Sequence, residues 1–210
     1  MITTLPRVID RMPDRPQVGS PAHPMRITTR RAAFEPDYWN ASEAARVAAF
    51  FDTMAPEWDT RSGVGELMPL HDALARGGPF GTRCLEIGAG TGNGTAILAA
   101  AFAQVIALDL SAGMLHHFHD VRADLVLADG AQLPFAADSM DAIVLVNAFL
   151  FPTELDRVLA PGGAIVWVNS LAEDTPIHLP AHDVVAALPG TWSATVSEAG
   201  WGSWAVVRRG

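Results

Sequence analysis

From Gly81 onward, short apolar runs alternate with stretches of helical periodicity. The runs lack the in-out alternation of half-exposed strands, which is typical of a parallel sheet covered by helices on both faces. The final segment, 192–208, indicates two strands joined at Ala199 and Gly200, which favours an antiparallel hairpin. The other predicted strands are 83–87, 105–108, 125–127, 142–146 and 164–168. The pattern therefore predicts an α/β fold, a doubly wound and mostly parallel seven-stranded sheet with an antiparallel C-terminal hairpin.

Two helical patterns precede this alternation. Asn40 and Glu43 form a variant of the capping box, and apolar residues then recur at helical spacing, which predicts a helix over 41–54. A second pattern runs from Val64 and ends at two glycines, although Pro69 is expected to kink or break it. We interpret 37–80 as a helical lid segment that precedes a ligand-binding domain at 81–210.

The first 36 residues contain six prolines and little apolar periodicity. Such a stretch buries too little apolar surface to offset its ordering entropy. Residues 1–40 carry six arginines against four acids, whereas 41–210 carries eight against nineteen. Residues 1–36 are therefore predicted to be a Pro/Arg-rich N-terminal arm and not a domain.

Composition excludes several kinds of chemistry. All 14 basic residues are arginine, so the chain has no lysine for a Walker-type phosphate loop, a Schiff base or pyridoxal phosphate. The net charge of −9 disfavours a nucleic-acid partner. Cys84 is the one cysteine, which rules out an intrachain disulfide and favours a reducing compartment. With no signal-peptide pattern and no apolar run long enough for a bilayer, we expect a cytoplasmic protein without a membrane partner.

A glycine-rich turn follows the first strand of the predicted domain. It reads Gly88-Ala89-Gly90-Thr91-Gly92, and a helix begins near Gly92. In doubly wound folds this turn approaches the ligand with its backbone, beyond the carboxyl ends of the strands. A dinucleotide fingerprint needs glycines at i, i+2 and i+5, but the last place is Asn93 counted from Gly88 and Thr95 counted from Gly90. The spacing therefore speaks against an NAD-type oxidoreductase.

Residues 85–92, Leu-Glu-Ile-Gly-Ala-Gly-Thr-Gly, closely resemble motif I of the class I S-adenosylmethionine-dependent methyltransferases. Three further segments, 105–115, 127–135 and 157–163, agree with that family in order and spacing. The resemblance covers about 45–210 and is closest to the small-molecule branch that includes the quinone-biosynthesis enzymes. It implies a Rossmann-like fold, S-adenosylmethionine as cofactor, and methyl transfer to a small hydrophobic or aromatic metabolite. A member that binds the cofactor without methylating is the alternative, and a homodimer is left open.

Individual residues are consistent with that resemblance. Asp109 ends the second strand, where a carboxylate can accept hydrogen bonds from both ribose hydroxyls, although this would equally suit NAD. The resemblance implies that Asp129 accepts from the adenine amino group, the alternative being a turn-forming Asp-Gly. It also implies that Glu86 orients the loop or the methionine amino group, while Leu110 and Met114 either sandwich the adenine or belong to the core. The predicted cofactor-binding residues are Glu86, Gly88, Ala89, Gly90, Gly92, Asp109, Leu110, Met114, Asp129, Gly130 and Asn147.

Methyl transfer by direct displacement depends on alignment of the reactants, so a catalytic base is optional. The acceptor face is expected after the fourth and fifth strands of the domain, and the candidates for catalysis there are Asn147, His178 and His182. A surface position is the alternative for the two histidines. We infer no metal, since His116 and His119 share a helix face without a carboxylate nearby.

Overall fold

The computed structural model describes residues 1–13, 22–61, 66–118 and 122–210. Its strands are β1 (Ile2–Thr4), β2 (Arg83–Ile87), β3 (Gln104–Asp109), β4 (Asp124–Leu127), β5 (Met140–Val146), β6 (Leu159–Asn169), β7 (Trp192–Ala199) and β8 (Gly202–Arg209). Its helices are α1 (Met25–Phe34), α2 (Ala41–Met54), α3 (Trp58–Arg61), α4 (Met68–Arg76), α5 (Asn93–Ala101), α6 (Ala112–His116), α7 (Pro152–Val158) and α8 (Ala181–Ala187). Two short 3-10 turns, Ala55–Glu57 and Ala172–Asp174, complete the described elements.

All eight strands belong to one sheet in the order β1-β7-β8-β6-β5-β2-β3-β4. Strands β2 to β6 pair in parallel, and β8 pairs antiparallel with both β6 and β7. The predicted mostly parallel sheet with its C-terminal hairpin is confirmed. The sheet has one strand more than the predicted seven, because β1 pairs in parallel with the edge strand β7. Residues 2–4 lack a periodic pattern long enough to predict a strand, and β7 supplies the hydrogen-bonding partners.

The helical segment before the sheet follows its local sequence signals. The Asn40 side chain accepts hydrogen bonds from the backbone N–H groups of Ser42 and Glu43, so α2 begins where the capping pattern predicts. Helix α4 begins at Met68, which places Pro69 in its first turn. Proline suits this position, because a first-turn residue has no intrahelical use for the N–H that proline lacks. Val64, the predicted start of this pattern, lies outside the described residues.

The central strands are buried on both faces, which explains their continuous apolar sequences. Leu85 and Ile143 point into one core cluster together with Trp167. Cys84 and Val144, their neighbours along β2 and β5, point into the second cluster on the opposite face. Because these strands are parallel neighbours, their carboxyl ends lie at one edge of the sheet, where the turns that follow them form a cavity.

Within the part of the chain that the structure describes, no helix has the length and apolar character needed to cross a membrane.

Candidate functional site

A cavity of about 290 Å³ lies at the carboxyl ends of β2, β3 and β5. The glycine turn forms one of its walls: Gly88, Gly90 and Gly92 all have positive φ angles, of 74°, 59° and 97°. A side chain at Gly88 would put its Cβ 2.9 Å from the Cβ of Ala148, whereas at Gly90 the nearest atom of a described residue beyond the chain neighbours would be the indole nitrogen of Trp58, at 3.5 Å. The turn therefore needs glycine for its conformation, and at Gly90 it presents open backbone to the cavity.

Most of the predicted cofactor-binding residues meet at this cavity. The lining includes Glu86, Gly88, Ala89, Gly90, Asp109, Leu110, Met114, Asp129, Gly130 and Asn147. Gly92 is not among the residues that line it and instead precedes the first residue of α5, as the N-cap in a left-handed conformation. The predicted cofactor-binding residues therefore lie at the edge of the sheet where the structure has its cavity.

The Asp109 carboxylate accepts hydrogen bonds from two backbone N–H groups, one in the glycine turn and one just after β3. One oxygen accepts a hydrogen bond from the N–H of Gly90 at 2.8 Å, and the other accepts from the N–H of Ser111, also at 2.8 Å. Burial raises the pKa of Asp109, and these backbone hydrogen bonds oppose that rise. Asp109 therefore fixes the position of the glycine turn relative to the end of β3.

Glu86 lies beneath the turn and is only 2% exposed. Its carboxyl group accepts a hydrogen bond from the hydroxyl of Thr95. Burial raises the pKa of Glu86 to about 8, the Thr95 hydrogen bond opposes that rise, and the neighbouring charge of Asp109 adds to it. A Cβ at Gly94 would lie 2.5 Å from a Glu86 oxygen, so the helix after the turn approaches the carboxyl group closely. At neutral pH this buried acid is mostly protonated.

Asp129 is held by a tryptophan from the segment that precedes the sheet. The indole N–H of Trp39 donates to both carboxylate oxygens, with nitrogen to oxygen distances of 3.1 and 3.0 Å. The first of these oxygens also accepts from the N–H of Ala131 at 2.8 Å. The ring of Trp39 packs against Phe149 and Phe151, with centroid separations of 5.3 and 4.9 Å. The contact between Trp39 and Asp129 was not predicted from the sequence.

Two further acids attach the helical segment that precedes the sheet to residues at the glycine turn and at the start of α6. Asp52 on α2 accepts from the Ser111 hydroxyl at 2.5 Å and from the N–H of Gly113 at 2.8 Å. Asp59 on α3 accepts from the hydroxyl of Thr91 at 2.6 Å and from the side-chain amide of Asn93 at 2.9 Å. Sequence reasoning missed both contacts, and no signal within either helix points to them. They join the predicted lid segment to the glycine turn and to the start of α6.

The predicted catalytic residues fall in different places. Asn147 lines the cavity with a φ of 51°, and its amide exchanges two hydrogen bonds of 2.8 Å with the hydroxyl and the backbone N–H of Ser170. His178 is half-buried and lines a separate cavity of about 190 Å³, where burial and the charge of Arg26 lower its pKa. His182 is 73% exposed in its side chain and lies 3.3 Å from Asp183. The structure thus brings Asn147, but neither histidine, to the lining of the main cavity.

The metal prediction concerned a pair of histidines on one helix face. Among residues 1–13, 22–61, 66–118 and 122–210, no group of three or more metal-ligating side chains forms a cluster. His119, the predicted partner of His116, lies outside the described residues.

Comparison with known proteins identifies the family. A family profile described as "Methyltransferase domain" matches residues 85–167. A demethylmenaquinone methyltransferase from Clavibacter sepedonicus is 32% identical over 161 residues, which cover 69% of this chain and 66% of that protein. A malonyl-[acyl-carrier protein] O-methyltransferase from Methylococcus capsulatus is 40% identical over 104 residues, which cover 43% and 38% respectively. This chain belongs to the class I S-adenosylmethionine-dependent methyltransferases. It spans about two thirds or less of the length of these two relatives.

The solved structures agree with this family at the level of the fold. The complex of DhpI with S-adenosylhomocysteine has a TM-score of 0.61 at 21% identity, and the match covers 80% of this chain and 97% of that one. The confirmed parallel sheet and C-terminal hairpin are thus those of the class I methyltransferase fold. S-adenosylmethionine is the cofactor.

The residues around the cavity fit this cofactor. The cofactor carries positive charge, and the described lining residues include four carboxylic acids but no arginine or histidine: Glu66, Glu86, Asp109 and Asp129. Leu110 and Met114 supply apolar surface for a flat ring. The open backbone at Gly90 leaves room for a nucleoside to approach the turn closely.

Proposed function

We propose that the chain catalyses methyl transfer from S-adenosylmethionine to a small, hydrophobic or aromatic metabolite. The observation that carries this proposal is the cavity itself, which is lined by a glycine turn with open backbone, by carboxyl groups and by a cluster of aromatic rings. When bound, S-adenosylmethionine supplies an electrophilic methyl group on sulfur. The chain's residues have to hold, orient and shield the two reactants.

The cofactor half of the cavity is assigned to the ends of β2, β3 and β4. Asp109 keeps the glycine turn in place, and its position suits the ribose hydroxyls. We assign Asp129 to the amino group of the adenine and the apolar side chains of Leu110 and Met114 to its faces. Glu86 near the end of β2 lines the cavity and is suited to an ammonium group, because pairing would recover the cost of ionising it.

The acceptor half is assigned to the residues that follow β5. Phe149, Phe151 and Ile177 are buried and form an apolar wall, and Asn147 at the end of β5 is held rigidly by Ser170. Because the described lining has carboxyl groups but no cationic side chain, an acceptor that carries a carboxylate or a phosphate is disfavoured. We therefore expect a neutral or cationic acceptor with a flat apolar part. Displacement within this wall depends on alignment and on exclusion of water.

Binding of the cofactor is the first test. The melting temperature should rise on addition of S-adenosylhomocysteine or S-adenosylmethionine and stay unchanged on addition of NAD. The Asp109→Ala variant, which removes the carboxylate that holds the turn, should lose the shift. Absence of a shift with either sulfur ligand at millimolar concentration, with an NAD-dependent shift instead, would contradict the proposal.

Turnover is the second test and separates an active enzyme from a member that only binds the cofactor. Wild type is incubated with isotopically labelled S-adenosylmethionine and fractionated metabolite extracts, and the products are searched by mass for one added labelled methyl group. We expect the label in an apolar, non-acidic fraction. Firm cofactor binding without labelling of any fraction would favour the non-catalytic alternative.

We also propose that the protein acts in the cytoplasm and without nucleic acid. Its one cysteine is a buried free thiol, and its net charge of −9 disfavours a phosphate backbone. We also propose a homodimer, and size-exclusion chromatography tests it by measuring the molecular mass in solution. Retention on heparin at low salt would contradict the part that concerns nucleic acid.

A further inference from the structure

The contact between Trp39 and Asp129 joins the segment before the sheet to the predicted adenine site. The two residues are 90 positions apart, and the indole N–H reaches both carboxylate oxygens. We propose that Trp39 is a positioning residue, which holds the Asp129 carboxylate in the orientation that the adenine amino group requires. This inference rests on the proposed function, because it takes Asp129 as the acceptor for that amino group.

The hydrogen-bonding capacity of Asp129 leaves room for this arrangement. An ionised carboxylate offers about four acceptor positions on its two oxygens. Trp39 uses one on each oxygen, and the N–H of Ala131 uses a second on the first oxygen. One position on the second oxygen is left for a donor from the cavity. Two N–H donors, through three contacts, therefore fix the plane of the carboxylate, and a third donor fits beside them.

Trp39 is itself held from two directions. Its ring packs edge-on against Phe151 and in a tilted arrangement against Phe149, both of which follow β5. It directly precedes Asn40, the capped start of α2, and α2 is fastened to Ser111 through Asp52. The orientation of the carboxylate thus depends on docking of the segment before the sheet and on the aromatic wall of the acceptor side. Cofactor recognition and acceptor recognition share this one side chain.

The same contact could have the opposite effect. An indole that occupied the place of the adenine would compete with the cofactor, and its removal would strengthen binding. The geometry favours positioning, since the Trp39 ring packs on Phe149 and Phe151 of the acceptor wall while its N–H reaches both oxygens of Asp129. The two arrangements predict affinity changes of opposite sign.

The test uses the full chain and the variants Trp39→Phe and Trp192→Phe. Trp39→Phe keeps an aromatic ring and removes the N–H. Trp192→Phe is the matched control, because Trp192 likewise donates its indole N–H to an acceptor within the protein, the carbonyl of Pro189 at 2.7 Å, but does not line the cavity. Calorimetry measures binding of S-adenosylhomocysteine, adenosine and purine riboside, the last of which lacks the amino group. Thermal unfolding of each variant gives the purely structural effect.

We expect Trp39→Phe to bind S-adenosylhomocysteine and adenosine about tenfold more weakly, because hydrogen bonds to charged groups are worth about that factor or more. Purine riboside should be bound with nearly unchanged affinity, so the preference for adenosine shrinks. Trp192→Phe should keep wild-type affinities and the wild-type preference. This loss of discrimination is a signature that a general loss of stability does not produce.

Three results would overturn the inference. Tighter binding by Trp39→Phe would show that the indole occupies the adenine place. An unchanged preference for adenosine, with only a lower melting temperature, would show a structural role alone. Failure of the wild type to bind any of the three ligands would remove the proposed function as well, and this distinguishes the failure of both proposals from the failure of this one.

Discussion

Glu86 offers the sharpest test of the link between the fold and the cofactor site. Its pKa is raised from an ordinary value near 4.5 to about 8, first because of burial. The unfolded chain ionises this group above about pH 4.5, while the folded chain keeps it protonated until about pH 8. The folded state therefore loses stability as the pH rises through this window. The loss amounts to at most about 5 kcal/mol, since each pH unit is worth about 1.4 kcal/mol.

The Glu86→Gln variant removes this ionisation and retains an oxygen that can accept the hydrogen bond from Thr95. Urea unfolding at several pH values between 5 and 8 measures the effect. We expect the variant to match the wild type near pH 5 and to be more stable by a few kcal/mol near pH 8. The gain in stability should come with weaker binding of S-adenosylhomocysteine, because the variant cannot supply a carboxylate to the ammonium group.

Glu35→Gln is the matched control, since Glu35 is an exposed acid paired with Arg31 at the surface. It makes the same replacement of a carboxyl by an amide at the surface and should leave the difference between pH 5 and pH 8 as in the wild type. If wild type and Glu86→Gln lose stability in parallel from pH 5 to pH 8, the burial argument for Glu86 is wrong. If stability separates as expected but ligand affinity does not change, its assignment to the ammonium group is wrong.

Five further substitutions provide three more tests. Gly90→Ala and Gly162→Ala both place a side chain at a positive φ, of 59° and 78°, so each should cost about 1 kcal/mol in urea unfolding. Calorimetry should show loss of S-adenosylhomocysteine affinity for Gly90→Ala alone, and equal affinities would contradict close approach at Gly90. Asp52→Ala leaves the Ser111 hydroxyl and the Gly113 N–H without this acceptor, so it should cost about 1 kcal/mol in unfolding and weaken ligand binding. Wild-type values would contradict the role of Asp52 in attaching α2. His178→Ala and His182→Ala should retain most of the kcat, since neither lines the cavity; a loss of about 100-fold would assign that histidine to general-base catalysis.

The strands and the glycine turn could be predicted from the sequence because their signals are local. Each run such as 142–146 is apolar enough to be buried on both faces, and the glycine spacing after β2 defines the conformation of one turn. The cap at Asn40 is equally local, since donor and acceptor are two or three residues apart. Patterns of this kind report what a short segment does irrespective of the rest of the chain.

The contacts that close the site could not be predicted, because they join distant segments. Trp39 reaches Asp129 across 90 residues, Asp52 reaches Ser111 across 59, and Asp59 reaches Thr91 across 32. Trp39 precedes the cap of α2, while Asp52 and Asp59 are ordinary helix residues, so their local sequence carries no signal of these contacts. Strand β1 was not predicted for the same reason, since its three residues form a strand only because β7 supplies their hydrogen-bonding partners.

The buried acids give the site a thermodynamic reason to bind a cation. Isolated charges are not tolerated in a protein interior unless they are paired or neutralised by a shift in pKa. Backbone N–H groups donate to Asp109, and an indole and a backbone N–H donate to Asp129, but Glu86 has a single hydroxyl donor and stays mostly protonated at neutral pH.

A ligand that brings an ammonium group would ionise Glu86 and release a proton. The heat of binding at pH 7 should therefore depend on the ionisation enthalpy of the buffer, with close to one proton released per site, because a group with a pKa of about 8 is about nine-tenths protonated at that pH. Binding whose heat is the same in phosphate and in Tris buffer would mean that the ammonium group is held elsewhere.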